Sequence, residues 1–249
     1  MEIKKLIPAL LAGLALSSAA QATLVDNGGG LIYDTDLNIT WLQNANLAHS
    51  NNFGMTGAVI DPNGGGFMTW DAAQAFITAM NAQNYLGHND WRLPTMTDTG
   101  APGCDAAYSG TDCGYNSNSG EMAHLFYSEL GDTPDYDTSG NQTNFTGVQN
   151  SGPFINIQRG PTAAYWYGTQ YAPDTVHGAW VFDFTGGGQL AYQKASGFYI
   201  WPVLPGDAFV GGGNPNNTNT VPEPQAWLMM LAGLGLVGVA AASRRRVEA

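Results

Sequence analysis

Apolar residues gather in long runs at the two ends of this chain and in short, interrupted runs between them, and the two patterns predict different things. Residues 6–15 are apolar with one proline, and 226–242 carry no polar side chain. Between them, Gly30-Leu31-Ile32-Tyr33-Asp34 and Ile39-Thr40-Trp41-Leu42 read as two short strands around the turn 35–38. Trp70, Ala73, Ile77 and Met80, flanked by Ala72, Phe76 and Ala79, recur at helical spacing behind Thr69 as cap, which predicts a helix over 70–84. A second helix is predicted with Ser119 as cap, Met122, Leu125, Phe126 and Leu130 on one face, and Gly131 as its stop. The last third alternates: Tyr165-Trp166-Tyr167, then Trp180, Phe182 and Phe184 opposite Val181 and Asp183, then Leu190, Tyr192 and 198–201. Interrupted by Thr185-Gly186-Gly187-Gly188, it reads as an antiparallel hairpin or meander.

The ends carry export signals. Lys4 and Lys5 precede the first apolar run, and Ser17-Ser18-Ala19-Ala20-Gln21-Ala22 supplies small residues at cleavage spacing, so 1–22 is expected to be a secretory signal peptide, the target of a signal peptidase. At the other end Val221-Pro222-Glu223-Pro224 precedes the 226–242 run, and Arg244-Arg245-Arg246 follows it. Seventeen helical residues reach about 25 Å against a hydrocarbon core of about 30 Å. That makes a marginal transmembrane helix, with the arginines on the cytoplasmic side and the body outside. Either a permanent anchor or a transient one fits these residues. Pro222, Glu223 and Pro224, the apolar helix and the basic end resemble, in that order, the PEP-CTERM sorting signal. The resemblance implies recognition by an exosortase, transient residence in the inner membrane, and a final place in the envelope, on the cell surface or in the medium.

Composition narrows what the body does. Between Leu6 and Ser243, Arg92, Arg159 and Lys194 stand against 18 Asp and Glu, a net charge of −15. Such a body repels nucleic acid and anionic lipid, and it disfavours sulfated or uronic polysaccharides while leaving neutral glycans open. Residues 23–210 suffice for one domain, and Gly, Asn and Thr in 211–220 make a flexible linker before the 221–249 sorting segment. Cys104 and Cys113 are the only cysteines. In an exported chain they most simply form a disulfide, while a metal site would need ligands beyond them.

Trp70-Asp71-Ala72-Ala73, Asn89-Asp90-Trp91-Arg92-Leu93-Pro94-Thr95, Glu121-Met122, Tyr165-Trp166-Tyr167-Gly168-Thr169 and the stretch from Trp180 to Lys194 resemble the Lcl C-terminal domain family over most of 31–206. The family is similar to the formylglycine-generating-enzyme type of C-type-lectin-like fold. The resemblance implies an α+β class, with two helices on short, mostly antiparallel strands, and a surface or extracellular-matrix protein that recognises glycan or another envelope component. Residues 96–119 separate Thr95 from the Glu121 region, where the family runs straight on. The segment 199–204 also lacks the arginines that usually flank its Pro-Val. A structural biofilm component without a discrete ligand and a secreted enzyme remain the alternatives.

Candidate sites follow from this frame. Trp91, Arg92, Leu93, Pro94, Glu121, Trp166 and Trp180 read as structural motif positions, with Glu121 a partner for Arg92. Asp90 and Glu121 offer two carboxylates of the kind acid and base work needs, but nothing in the sequence gives their separation, and no catalytic pair is assigned. Asp135-x-Asp137-x-Ser139-Gly140 matches the first half of a calcium loop, but Thr146 stands where its bidentate Glu would be. Asp34-x-Asp36-x-Asn38 is weaker, with Ile39 in the glycine position. His49, His88, His124 and His177 are too scattered for a local metal motif. No catalytic residue and no cofactor is assigned, since no Gly-x-Ser-x-Gly, phosphate loop or dinucleotide fingerprint occurs.

Overall fold

The computed structural model describes residues 24–55, 65–101, 108, 112–144, 148–160 and 163–209. The expected signal peptide, Cys104, the 211–220 linker, Pro222, Glu223, Pro224 and the 226–242 run lie outside the described residues. Among those described, no helix is long and apolar enough to cross a membrane.

The β-branched and aromatic runs become strands, and the helical periodicities become helices. Strands β1 (Leu24–Gly28), β2 (Leu31–Asp34), β3 (Ile39–Leu42) and β7 (Val203–Pro205) form one antiparallel sheet in the order β1-β2-β3-β7. Strands β4 (Ala164–Gln170), β5 (Gly178–Asp183) and β6 (Gly188–Gln193) form a second antiparallel sheet in chain order. Helix α1 spans Trp70–Ala82, and the Thr69 hydroxyl accepts from the Ala72 N–H as predicted. It stops two residues before the expected end, where Asn84 turns left-handed at φ 51°. A second helix begins as α2 (Glu121–His124) and runs on as a π turn, Leu125–Glu129. The α+β class therefore holds.

Two expectations need correction, and one element was not expected. The cap of α2 is Gly120, and Ser119 instead approaches Ser117 and accepts from Gln189. Residues 198–201 form no strand: β7 begins at Val203, while Phe198 and Tyr199 make isolated bridges to Met68 and Tyr165. Strand β1 was unexpected, its polar sequence being held by β2 and by Asn27, which donates to Asp207 and to the Ala208 carbonyl.

Alternation in β5 also does not separate an inside from an outside, because Ala179, Trp180, Val181 and Phe182 are all buried. Both faces of that strand are covered. Among the described residues six tryptophans enter the core, and burying an indole leaves one N–H to satisfy. Each donates to an acceptor in another segment or across a turn: Trp41 to Asp34, Trp70 to the Tyr167 carbonyl, Trp91 to Tyr85, Trp166 to Met68, Trp180 to Asp98 and Trp201 to Leu42. The tryptophans thus supply apolar area and also stitch helices and loops to the sheets.

Asp98 shows how a loop carboxylate joins this scheme. Its Oδ2 accepts from Trp180 at 2.7 Å and from the Ala172 N–H at 2.6 Å, and its Oδ1 from Gly100 at 2.8 Å. Burial pushes the carboxyl up, but the bonds from Ala172, Trp180 and Gly100 outweigh it and hold the group below its ordinary 3.8. A depressed carboxyl stabilises the fold fully above the ordinary value, and that contribution is lost as pH falls through the lower, folded-state value. Asp98→Asn should cost about 1–2 kcal/mol at pH 6, on the scale of charge-assisted bonds at a partly exposed site. Denaturant unfolding of both proteins at pH 6 and pH 3 should show the gap narrowing at the lower pH; an equal gap would remove the charge from this account.

Candidate functional site

The segment Trp91 to Thr95 and the start of α2 meet through one ion pair. Arg92 donates to Glu121 through both terminal nitrogens, at 2.8 and 2.7 Å, and Glu121 Oε2 also accepts from the Thr95 N–H at 2.7 Å. Backbone pairing with Val203 in both directions holds Arg92 against β7. The long excursion 96–119 does not disturb this arrangement, because its two ends pair with each other: Glu121 N–H donates to Thr95 and Thr97 N–H to Ser119. The chain leaves and re-enters at one place. Trp91, Leu93, Pro94, Trp166 and Trp180 are buried around the clasp and the two sheets. Both Glu121 oxygens are engaged and Asp90 is exposed, so the geometry makes Glu121 an ion-pair partner and not half of an acid–base pair.

Asp135, Asp137 and Ser139 lie in a tight turn closed by a Tyr136 to Gln142 bridge. The Asn141 side chain and then the N–H groups of Asn141 and Ser139 donate to Asp137 and lower its carboxyl, and Asp135 sits beside Gly186 and Asp183 with its carboxyl raised by burial. The Asp137 carboxylate thus folds the turn. Cys113 is buried, and no free cysteine occurs among the described residues.

Two groupings went unseen in the sequence. The first is a shallow cleft of about 340 Å³ lined by Tyr171, Asp174, His177, Gly178, Ala191, Tyr192 and Gln193. A Cβ on Gly178 would come within 2.9 Å of Tyr171 Cβ, so glycine lets the 171–177 loop close down on β5. Tyr171 packs edge-on against Trp180 at 5.4 Å and Tyr192 against Phe198 at 5.0 Å, while Tyr192 keeps 44 % of its surface exposed. Asp174 accepts from the His177 N–H and contacts its ring Nδ1 at 3.1 Å, contacts that lower its carboxyl. The cleft presents aromatic faces beside a carboxylate, an imidazole and an amide.

The second grouping sits at the β2–β3 turn. Asp34, His124 and Glu129 bring ligand atoms within 4.8 Å of one another, and Asp36 approaches His124 at 3.2 Å. Asp34 is fixed by the N–H groups of Asp36 and Leu37 and by the Trp41 indole. The Glu129 side chain is 2 % exposed. Burial and the neighbouring Asp34 push its carboxyl up, against the downward pull of His124. His124 and Glu129 stand five apart, which on an α-helix puts them about 140° round from each other. The π turn, closed by a Leu130 N–H to Leu125 carbonyl bond, brings them together instead.

Neither a curated protein nor a solved structure matches the chain. Two family matches bear on it, one in the described core and one at the end. The first takes in β2, β3, α1 and the Trp91–Thr95 segment and stops before Glu121, Trp166 and Trp180. The second covers the Pro222-Glu223-Pro224 tail, and it implies an exported, envelope-directed protein with an exosortase as processing partner. Residues 30–101 match the Lcl C-terminal domain, and residues 220–246 match the PEP-CTERM protein-sorting motif.

Proposed function

We propose that this is a surface or extracellular-matrix protein whose C-type-lectin-like body recognises a neutral glycan in the Tyr171–Tyr192 cleft. The observation that carries the reading is the exposed Tyr192 ring beside Asp174, His177 and Gln193. An aromatic face stacks on the apolar face of a sugar ring, and flanking carboxylate and amide groups bond its hydroxyls. The body's acidity favours a neutral ligand over a polyanion. Its three cations also have separate partners: Arg92 in the Glu121 pair, Lys194 on the Thr175 carbonyl and over the Trp70 ring, and Arg159 on Ser151. On this reading a signal peptidase removes 1–22, the 226–242 helix holds the chain briefly in the inner membrane, and an exosortase cuts near Pro222-Glu223-Pro224. A Cys104–Cys113 disulfide would then close the inserted loop outside the cell.

The test is binding of the full chain, purified in detergent, to a panel of neutral and acidic polysaccharides. Saturable binding to a neutral glycan is expected, and Tyr192→Ala should weaken it about tenfold, the 1.4 kcal/mol scale of one aromatic contact. Tyr192 is exposed enough for the variant to keep its fold. Binding untouched by Tyr192→Ala would move the ligand elsewhere. No binding to any polysaccharide would favour a structural matrix component.

A further inference from the structure

We infer that Asp34, His124 and Glu129 form a binding site for one divalent transition ion of the zinc class, with Asp36 at its rim, a site separate from the glycan cleft and independent of it. The case begins with distances. His124 Nε2 lies 3.2 Å from Asp36 Oδ2 and 3.3 Å from Glu129 Oε1. Charge-assisted hydrogen bonds of this type run at about 2.7–2.9 Å, and a single Nε2–H cannot point along both directions. Ligand atoms about 2.0–2.1 Å from a tetrahedral zinc, by contrast, stand about 3.3 Å from one another. The His124 to Glu129 spacing is that of one edge of such a tetrahedron, and Asp34 brings a third ligand atom within 4.8 Å of the other two.

A second observation comes from burial. The Glu129 side chain is 2 % exposed, and its one hydrogen-bond contact among the described residues is the 3.3 Å approach of His124. That is longer than an ordinary N–H to oxygen bond of about 2.7–3.2 Å. A carboxylate so far from water is stabilised by a cation beside it, and the π turn that aims it beside His124 is a distortion that recurs at functional sites. Asp34 is already oriented by two turn N–H groups and the Trp41 indole, which is how outer-shell bonds hold a ligating carboxylate. Asp36, with 53 % of its side chain exposed, leaves one side open for the ion to enter.

The donor set selects the ion. The two ligating carboxylates carry two negative charges, which a divalent cation offsets. Calcium and magnesium prefer all-oxygen shells, whereas one imidazole with carboxylates suits zinc. A bound ion would tie the β2–β3 turn to the helix that starts with Glu121, so it would brace the Arg92 clasp.

The test titrates zinc chloride, and in parallel calcium chloride, into the full chain in detergent after removal of metal with chelator. The site predicts saturable binding of one zinc per chain by calorimetry, a rise in the thermal unfolding temperature, and no competition from calcium. His124→Asn should weaken zinc at least about 100-fold, and Glu129→Gln, which keeps the shape of the side chain and removes its charge, at least about tenfold. Thermal unfolding of the metal-free variants checks that each is folded, so either one decides the matter if the other is not. Absence of saturable zinc binding, or zinc binding unchanged in a folded His124→Asn or Glu129→Gln variant, would overturn the site.

Discussion

Replacing Trp201 with alanine should lower the unfolding free energy by about 3–5 kcal/mol, the range for truncating a fully buried tryptophan. Trp201 is 0 % exposed. Its ring lies 5.4 Å from Trp41, 4.9 Å from Phe154, 5.6 Å from Tyr165 and 5.4 Å from Phe184. Trp41 belongs to the first sheet and Tyr165 to the second, so one side chain fills the space between the sheets. Its indole also donates to the Leu42 carbonyl at 2.7 Å, and alanine would leave that buried acceptor short. Trp201→Phe keeps the apolar contacts but drops the bond, and should cost about 1–2 kcal/mol. Guanidinium unfolding followed by far-ultraviolet circular dichroism measures both. A loss below about 1 kcal/mol for the alanine variant would mean that the sheets do not depend on this contact.

What the sequence made legible was local. The Thr69 cap and the 3.6-residue spacing behind it placed α1, and the Thr185–Gly188 break placed the β5–β6 hairpin, because both signals lie within a few residues. The Arg92 to Glu121 pair was legible for a different reason: an arginine in so acidic a body has many carboxylates and few rivals for them, and the family resemblance already marks Glu121 as a motif position. Strand β1 gave no such signal. Its Asp26, Asn27 and Gly28 are poor strand formers, and only the pairing with β2 and the long-range bonds of Asn27 make it one.

The two candidate sites were hidden by the same separation between local pattern and assembled structure. The cleft joins a 3-10 turn, Ala172–Asp174, to β6 across a hairpin, so no sequence spacing announces it. Asp34 and Asp36 match only the first half of a calcium loop, and His124 stands in no local metal spacing with the other histidines. An α-helical period turns Glu129 away from His124, and the π turn that reverses this has no sequence signature in the residues Leu125 to Glu129. Repulsion among the three carboxylates is a cost to folding, which is the kind of local conflict expected where a ligand supplies the compensation.

Gly120→Ala should destabilise the fold by about 2–3 kcal/mol, the upper part of the range for overpacking a core. The backbone there is extended, at φ −130° and ψ 148°, so alanine meets no conformational penalty. Space is the obstacle. A Cβ would collide with the Tyr167 hydroxyl and come within 2.7 Å of Gln189 Oε1 and 2.8 Å of Tyr167 Cζ. Neither neighbour can move cheaply. Tyr167 and Gln189 are both 0 % exposed. The hydroxyl donates to Gln189 at 2.9 Å and accepts from the Ala123 N–H, while Gln189 Nε2 holds the Asp112 carbonyl and Ser119. Moving Tyr167 would free the first turn of α2, and moving Gln189 would release the inserted loop from β6. Tyr167→Phe alone should cost about 1–2 kcal/mol through the orphaned Gln189 and Ala123 groups. In the double variant the lost hydroxyl makes room for the methyl, so the combined loss should fall short of the sum by about 1 kcal/mol. Chemical unfolding of the four proteins gives the cycle, and strict additivity would show that the Tyr167 hydroxyl does not reserve position 120 for glycine.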